Sequence, residues 1–371
     1  MGERGNRWNH WLDYWAGIPL ACAGAALRLG GPRAPASPPR RVGFLCLGAI
    51  GDVLLLSALV TALRERLPDA HFALLTSRAN AAAARFVPGI DESASFRVRE
   101  IPAMVAWLRS RRLDVLLDST QWARLGTLLS NVSGAGVTVG FDTAGQHRAC
   151  GYTRKVIHRN DRHEVENFLA LGRALYPDLT GAPQLLLPAV SPEDLPPELR
   201  DAEGERRMYL HMWPAGAHAD LKEWPAPYWA ALAGELARRG FSVYLTGGPA
   251  DAARNAAFLR AFPQCPARSL AGRVSLGGMA RLFVSAAGVV SVNTGTMHLA
   301  ALCGASTVGL HGPTNPLRWG PVGPRVCALL PRRGPCAYLN LGFEYPRPYA
   351  CCLDALPVED VLAALHGLDV L

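Results

Sequence analysis

The sequence predicts an α/β protein of two doubly wound, parallel-sheet domains, and three observations carry that expectation. From Arg41 onward, short continuous apolar runs of strand length alternate with longer helical patterns. Pro188, Pro192, Pro196 and Pro197 interrupt the alternation, which then restarts in the same form. Glycine-containing loops follow several of the apolar runs and open helices, as in sheets that bind ligands at the carboxyl ends of their strands. A chain of 371 residues is long enough for two cores of that kind.

Residues 1–40 stand apart as an N-terminal helical extension and linker. Trp8, Trp11 and Trp15 recur at helical spacing, and an apolar stretch over residues 16–27 follows, interrupted by Pro19. Arg4, Arg7, Arg28, Arg33, Arg40 and Arg41 outweigh Glu3 and Asp13 around this segment, which accounts for half of the formal charge of +8. Aromatic and basic residues beside a short apolar face suit the plane of an anionic membrane surface. The alternatives are a helix docked on the body of the protein and a cleaved signal peptide; three tryptophans and Asp13 ahead of the apolar stretch oppose the latter. No apolar run approaches the ~20 residues of a membrane span. Pro32, Pro35, Pro38 and Pro39 then make a stiff linker.

The first domain is expected over residues 41–190. Its strands are read at residues 42–47, 71–75, 113–117 and 137–141, with helices at 52–67, 101–111 and 122–132. The second is expected over residues 205–371, with strands at 208–211, 241–246, 289–292 and 307–310. Its helices are read at 226–239, 276–286 and 296–303, with a last one at 357–365. Two α/β domains of similar size favour a ligand cleft between them.

Composition excludes several classes. Half of the residues are hydrophobic and 18% are charged, which fits neither disorder nor a coiled coil. Nine cysteines over this length do not form a disulfide framework, and a reducing cytoplasm is expected. Cys46 and Cys303 read as small core residues. Cys336, Cys351 and Cys352 cluster without a zinc-ligand spacing, and no metal is expected. No stacking motif accompanies a basic stripe, so nucleic-acid binding is not expected. Lys155 and Lys222 are the two lysines in a chain that otherwise uses arginine.

Four loops carry candidate chemistry. In Gly48-Ala49-Ile50-Gly51-Asp52, two glycines allow a tight turn from strand to helix, and Asp52 falls at the helix start. There it is either a helix cap or a carboxylate projecting as a general base. The loop does not match the dinucleotide fingerprint G-x-G-x-x-G. The second loop, Trp213 to His218, leads to Lys222-Glu223-Trp224-Pro225 just before a helix, where an ammonium group and free amides suit an anion. A solvated surface lysine is the alternative. The third, Ser291-Val292-Asn293-Thr294-Gly295-Thr296-Met297-His298, follows a strand and opens a helix, so its amides and hydroxyls suit phosphate. His298 is structural or catalytic. His311-Gly312-Pro313-Thr314 follows the next strand, with Arg318 and Trp319 available either for phosphate and ring stacking or for packing. The signatures D-x-D, G-x-x-x-x-G-K-[ST], H-E-x-x-H and G-x-S-x-G do not occur, which removes the kinase, metalloprotease and α/β-hydrolase readings.

Taken together these motifs resemble glycosyltransferase family 9, the bacterial ADP-heptose:lipopolysaccharide heptosyltransferases. The resemblance runs over residues 41–366 through GAIGDVLL at 48–55, K-x-W-P at 222–225, the Gly247-Gly248 pair, SVNTGTMHLAALCG at 291–304 and GLHGPT at 309–314. It implies a GT-B fold, two Rossmann-like domains facing a central cleft, and an inverting transfer with no metal and no cofactor. Asp52 matches the family's catalytic base, and Lys222 the lysine at the donor phosphates. Gly51, Asn293, Thr294, Gly295 and Thr296 match the donor-side loops, with His298 beside them, and Asp251 after Gly247 and Gly248 matches the acid at the ribose. The implied partners are a nucleotide sugar, ADP-heptose, and a lipid-linked saccharide acceptor, with the enzyme cytoplasmic or peripheral on the inner membrane. Asn293 stands where the family has Asp, and His311 where it has Phe. The alternatives are the same fold with another nucleotide sugar for O-antigen or capsule, and a catalytically silent nucleotide-sugar-binding relative.

Overall fold

The computed structural model describes residues 7–26, 38–200, 204–216, 219–332 and 352–371. The chain divides into two compact units, Met1–Leu186 and Leu187–Leu371. His218, Cys336, Cys351 and most of the proline-rich linker lie outside the described residues.

The first unit opens with helices α1 (Arg7–Trp15) and α2 (Gly17–Ala26). Its sheet comprises β1 (Arg41–Cys46), β2 (His71–Ser77), β3 (Glu92–Phe96), β4 (Val115–Asp118), β5 (Val137–Asp142) and β6 (Arg154–Ile157). Between the strands lie α3 (Ile50–Arg66), α4 (Ala81–Ala84), α5 (Ile101–Ser110) and α6 (Arg124–Val132), and α7 (Glu164–Arg173) follows β6. The strands run in parallel in the order β3-β2-β1-β4-β5-β6. β1 lies in the middle of this sheet, and its apolar residues from Val42 to Cys46 are buried on both faces. The strand order reverses between β1 and β4, where Leu45 is in register with Asp118. The loops leaving these two strands therefore open a crevice at the topological switch point.

The second unit repeats the pattern. Its strands are β7 (Arg207–His211), β8 (Ser242–Leu245), β9 (Arg268–Ser269), β10 (Gly288–Val292), β11 (Thr307–Leu310) and β12 (Val326–Leu329). They form a parallel sheet ordered β12-β11-β10-β7-β8-β9, with its switch point between β7 and β10. The helices are α8 (Ala226–Arg238), α9 (Ala252–Ala261), α10 (Leu276–Val284), α11 (Gly295–Leu302), α12 (Pro316–Trp319) and α13 (Val358–Gly367). One apolar cluster joins β7, β8, β10 and β11 to α8 and α13, with Trp224 and Trp229 packed edge to face at 4.9 Å.

The strands that sequence reading missed are the four sheet edges, β3, β6, β9 and β12. Each is half-exposed, so none carries the continuous apolar run that marks a central strand. The N-terminal extension is helical, and α2 lies against α6. A Cβ at Gly17 would stand 2.8 Å from the Arg124 side chain, and Asn131 Nδ2 donates to the Ala21 carbonyl at 3.1 Å. Trp11, Leu12, Tyr14, Trp15 and Leu20 remain exposed, Trp15 to 62%. Cys22, Cys46, Cys150, Cys265, Cys303 and Cys327 are free thiols. Burial pushes the Cys46 and Cys303 thiols up to about 12, with the neighbouring Asp52 carboxylate adding to the rise at Cys46. Cys352 is disulfide-bonded, a pairing the sequence did not announce.

Candidate active-site loops

Each switch point carries one set of the residues singled out above. In the first unit, β1 runs into Gly48 and α3 begins at Ile50, so Gly51 is buried in the first turn and Asp52 is its third residue. Asp52 is 8% exposed, and both of its oxygens are engaged. Oδ2 accepts the backbone N–H of Ala49, and Oδ1 accepts Gln121 Nε2 at 2.9 Å. Of the two readings of Asp52, this is the capping geometry. The backbone amide pins the carboxylate to the helix start, where the dipole favours negative charge, and Gln121 sets its rotation.

Glycine at 48 follows from this approach: a Cβ there would lie 2.6 Å from Asp52 Oδ2. The loop is braced from below by buried Asn80, whose Nδ2 donates to the carbonyls of Cys46 at 3.0 Å and Gly48 at 3.1 Å. Gln121 is held in turn. Asp118, at the end of β4, and Arg148 are both fully buried and form a 2.7 Å ion pair. Asp118 Oδ1 accepts Thr120 N at 2.8 Å, its Oδ2 accepts Tyr152 Oη at 2.6 Å, and Arg148 Nη1 donates to the Thr120 carbonyl. Burial raises the Tyr152 phenol far above its ordinary value, which keeps it a donor. Thr143 Oγ1 donates to the Gln121 carbonyl. Sequence reading missed Gln121, Asn80 and this platform. The signal available was Gln121 just past the end of an apolar strand, in the position where switch-point ligands bind.

In the second unit, Lys222 closes a short turn, Ala219–Lys222, and its Nζ donates to the Ala215 carbonyl at 2.8 Å in the loop after β7. That loop turns at Gly216, whose φ of +98° favours glycine. The expectation that Lys222 sits beside free amides of α8 needs correction. Pro225 caps that helix and Pro227 stands in its first turn, so it offers few donors. What surrounds Lys222 instead is a brace. Glu223 pairs with Arg254 at 2.8 Å, the Arg254 guanidinium lies 3.8 Å over the Trp213 ring, and Trp213 Nε1 donates to Asn255 Oδ1 at 2.7 Å. Trp224 is buried, with its Nε1 on the Leu356 carbonyl at 2.8 Å. Beneath the loop, burial pushes His211 down to about 4, and its Nδ1 meets Thr246 Oγ1 at 2.8 Å.

Gly247 and Gly248 follow β8. Asp251 folds back to accept Gly248 N at 2.9 Å, and a Cβ at Gly247 would lie 2.7 Å from that of Asp251. After β10, Asn293, Thr294, Gly295 and Thr296 are half-buried, and Thr294 begins α11 in extended backbone without a side-chain cap. The first amides of α11 therefore belong to the loop that resembles a phosphate cradle. His298, four residues into α11, is buried. Asn293 Nδ2 donates to the Trp319 carbonyl at 2.9 Å and lies 3.4 Å from His311 Nδ1. The two departures from the family pattern thus touch each other. Arg318 is buried with its guanidinium against the Trp319 ring at 4.9 Å, the packing alternative of the sequence reading. Among the described residues no cluster of His, Cys, Asp or Glu is placed to hold a metal ion.

Comparisons with known proteins bear on the family. The family model Glycosyltransferase family 9 (heptosyltransferase) matches residues 103–338. Lipopolysaccharide heptosyltransferase 1 of Pseudomonas aeruginosa is 42% identical over 95 residues, 26% of either chain. Lipopolysaccharide heptosyltransferase 1 of Escherichia coli K12 is 28% identical over 215 residues, 56% of this chain and 64% of that one. The chain thus spans less than two thirds of the length of these relatives. The solved structure of E. coli ADP-heptose lipopolysaccharide heptosyltransferase II superposes with a TM-score of 0.72 at 20% identity, over 88% of this chain and 98% of that one. An E. coli heptosyltransferase with ADP gives a TM-score of 0.64 at 21% identity, over 88% and 99%. These likenesses show the α/β fold of two parallel six-stranded sheets with flanking helices, that of the GT-B heptosyltransferases. The chain belongs to glycosyltransferase family 9.

Proposed function

We propose that the protein is an inverting, metal-independent glycosyltransferase that moves heptose from ADP-heptose to a lipid-linked, lipopolysaccharide-type acceptor at the cytoplasmic face of the inner membrane. The observation that carries this reading is Asp52, a buried carboxylate fixed by Ala49 and Gln121 at the first switch point. Family membership, and relatives whose names are lipopolysaccharide heptosyltransferases, support the substrate class.

In this reading an acceptor hydroxyl gives its proton to the Asp52 carboxylate as its oxygen attacks the anomeric carbon. The bond from that carbon to the diphosphate oxygen breaks, and ADP departs with the electron pair. Charge grows on the diphosphate as the bond lengthens. Lys222 and the loop 293–296 supply the cation and amides that stabilise it, and Asp251 with the Gly247-Gly248 turn receives the nucleoside. His298, buried within α11, supports the cradle from inside. The exposed Trp11, Tyr14 and Trp15, with the arginines of the N-terminal segment, suit an anionic leaflet where a lipid-linked acceptor lies. Among the described residues no helix is long and apolar enough to cross a membrane.

The test is mass analysis of lipopolysaccharide from a strain lacking the gene. A core truncated by one heptose is expected, and an unaltered core would remove this reading. A second reading rests on Asn293. An amide whose nitrogen is committed to Trp319 and His311 presents a neutral face where the family has a carboxylate, which fits a different donor sugar. Calorimetry with ADP-heptose against UDP- and GDP-sugars separates the two.

A further inference from the structure

We propose that the N-terminal helical segment, α1 and α2, is a positioning part of the first switch-point site, acting through Asp13. The inference rests on the reading of Asp52 as the base.

It begins with a helix that lacks a cap of its own. α6 starts at Arg124, and its N-cap residue, Ala123, has extended backbone (φ −68°, ψ 129°) but no side chain able to accept a hydrogen bond. The first amides of α6 are nonetheless satisfied. Asp13 Oδ1 accepts Arg124 N at 2.9 Å and Leu125 N at 3.2 Å, from more than a hundred residues upstream. Its Oδ2 accepts Arg124 Nη1 at 3.2 Å, and both side chains are largely buried. The Arg124 guanidinium lies 5.0 Å from the Tyr14 ring centre, and its Nε donates to the Gln146 carbonyl at 2.9 Å. An acidic group at a helix N-terminus also complements the dipole.

What α6 anchors gives this cap its consequence. The segment before it, Ser119 to Ala123, carries Gln121, whose amide sets the rotation of Asp52. The strand-side end of that segment is fixed by the Asp118–Arg148 platform and by Ser119 Oγ on the Leu45 carbonyl at 2.9 Å. Asp13 fixes the other end. Residues 119–123 are thus held between a buried ion pair and a cap lent by the extension, and the carboxylate orientation depends on both.

The experiment uses the full chain, with ADP-heptose as donor and heptose-deficient lipopolysaccharide as acceptor, reading ADP release. Asp13→Ala is expected to lower kcat about fivefold, the fold-change matching loss of a helix cap, with KM for the nucleotide sugar unmoved. Asp13→Asn keeps an acceptor for the α6 amides and is expected to stay close to the parent rate. Ala123→Asp in the Asp13→Ala background gives α6 a local cap and is expected to restore kcat. A purely packing role for the helical segment predicts no such rescue, because the second substitution does nothing for its docking. Parent kcat in Asp13→Ala, or loss without rescue by Ala123→Asp, overturns the proposal. Asp52→Asn is run alongside: its inactivity keeps the base assignment standing whatever Asp13 shows, and its full activity removes that assignment first.

Discussion

Replacing Gln121 by leucine removes its hydrogen bond to Asp52 while nearly keeping the side-chain volume, so it tests what that bond does for Asp52. The bond is 2.9 Å long and joins an amide to a carboxylate, and both residues are buried, so water is poorly placed to substitute for it. A hydrogen bond to a charged group is worth about 1.5–3 kcal/mol, and an error of that size in the placement of a base slows the chemical step roughly 10- to 100-fold. Asp52 keeps its contact with Ala49 N, so α3 still starts where it does and the fold is retained. The donor meets other loops, so KM for the nucleotide sugar stays within about twofold while kcat falls. Steady-state ADP release with saturating acceptor, beside a thermal melt to confirm folding, makes the measurement. A Gln121→Leu enzyme with kcat within about twofold of the parent would refute the idea that Gln121 orients the base.

Three further outcomes follow from the same geometry. Gly48→Ala places a methyl group 2.6 Å from Asp52 Oδ2, so the carboxylate must turn away; activity should fall at least as far as in Gln121→Leu, and an active variant would show that this orientation is dispensable. Lys222→Ala should weaken ADP binding about tenfold by calorimetry, and Lys222→Arg should recover only part of it because a planar fork replaces a point charge; unchanged affinity would remove Lys222 from the nucleotide site. His211, held near 4 by burial against 6.5 in the unfolded chain, binds its proton later when folded than when unfolded. Its contribution is therefore complete above pH 6.5 and is lost as pH falls towards 4, by about 3 kcal/mol at the limit. Denaturant melts of the parent and a His211→Asn variant at pH 7 and pH 4.5 should show the parent losing more; equal losses would contradict the sign.

The parts of this molecule that were legible in the sequence are those whose signal is local. Central strands such as β1 and β10 are buried on both faces and read as unbroken apolar runs, whereas the edge strand β6, Arg154–Ile157, is mostly exposed and reads as a loop. Asp52, Lys222 and the loop 293–296 were legible because strand, glycine turn and helix start adjoin in the chain. Gln121 and Asn80 were not, since each acts on the Asp52 loop from a neighbouring strand end and the pairing of β1 with β2 and β4 brings them there. Asp13 is the extreme case: no local pattern announces a helix cap supplied from another helix. The error over α8 has a physical cause as well. A lysine before a helix suggests an anion site, but Pro225 and Pro227 remove the amides that would complete it.

The central claim is that a buried carboxylate in the first turn of α3 removes the acceptor proton, and Asp52→Asn tests it most directly. The amide has nearly the same shape but cannot act as a base at neutral pH. Transfer from ADP-heptose to heptose-deficient lipopolysaccharide is followed by ADP release, with ADP affinity measured on the same preparation. The expected result is a fall in kcat of about 10²- to 10⁴-fold with ADP affinity unchanged. Parent turnover by the folded Asp52→Asn enzyme would contradict the account.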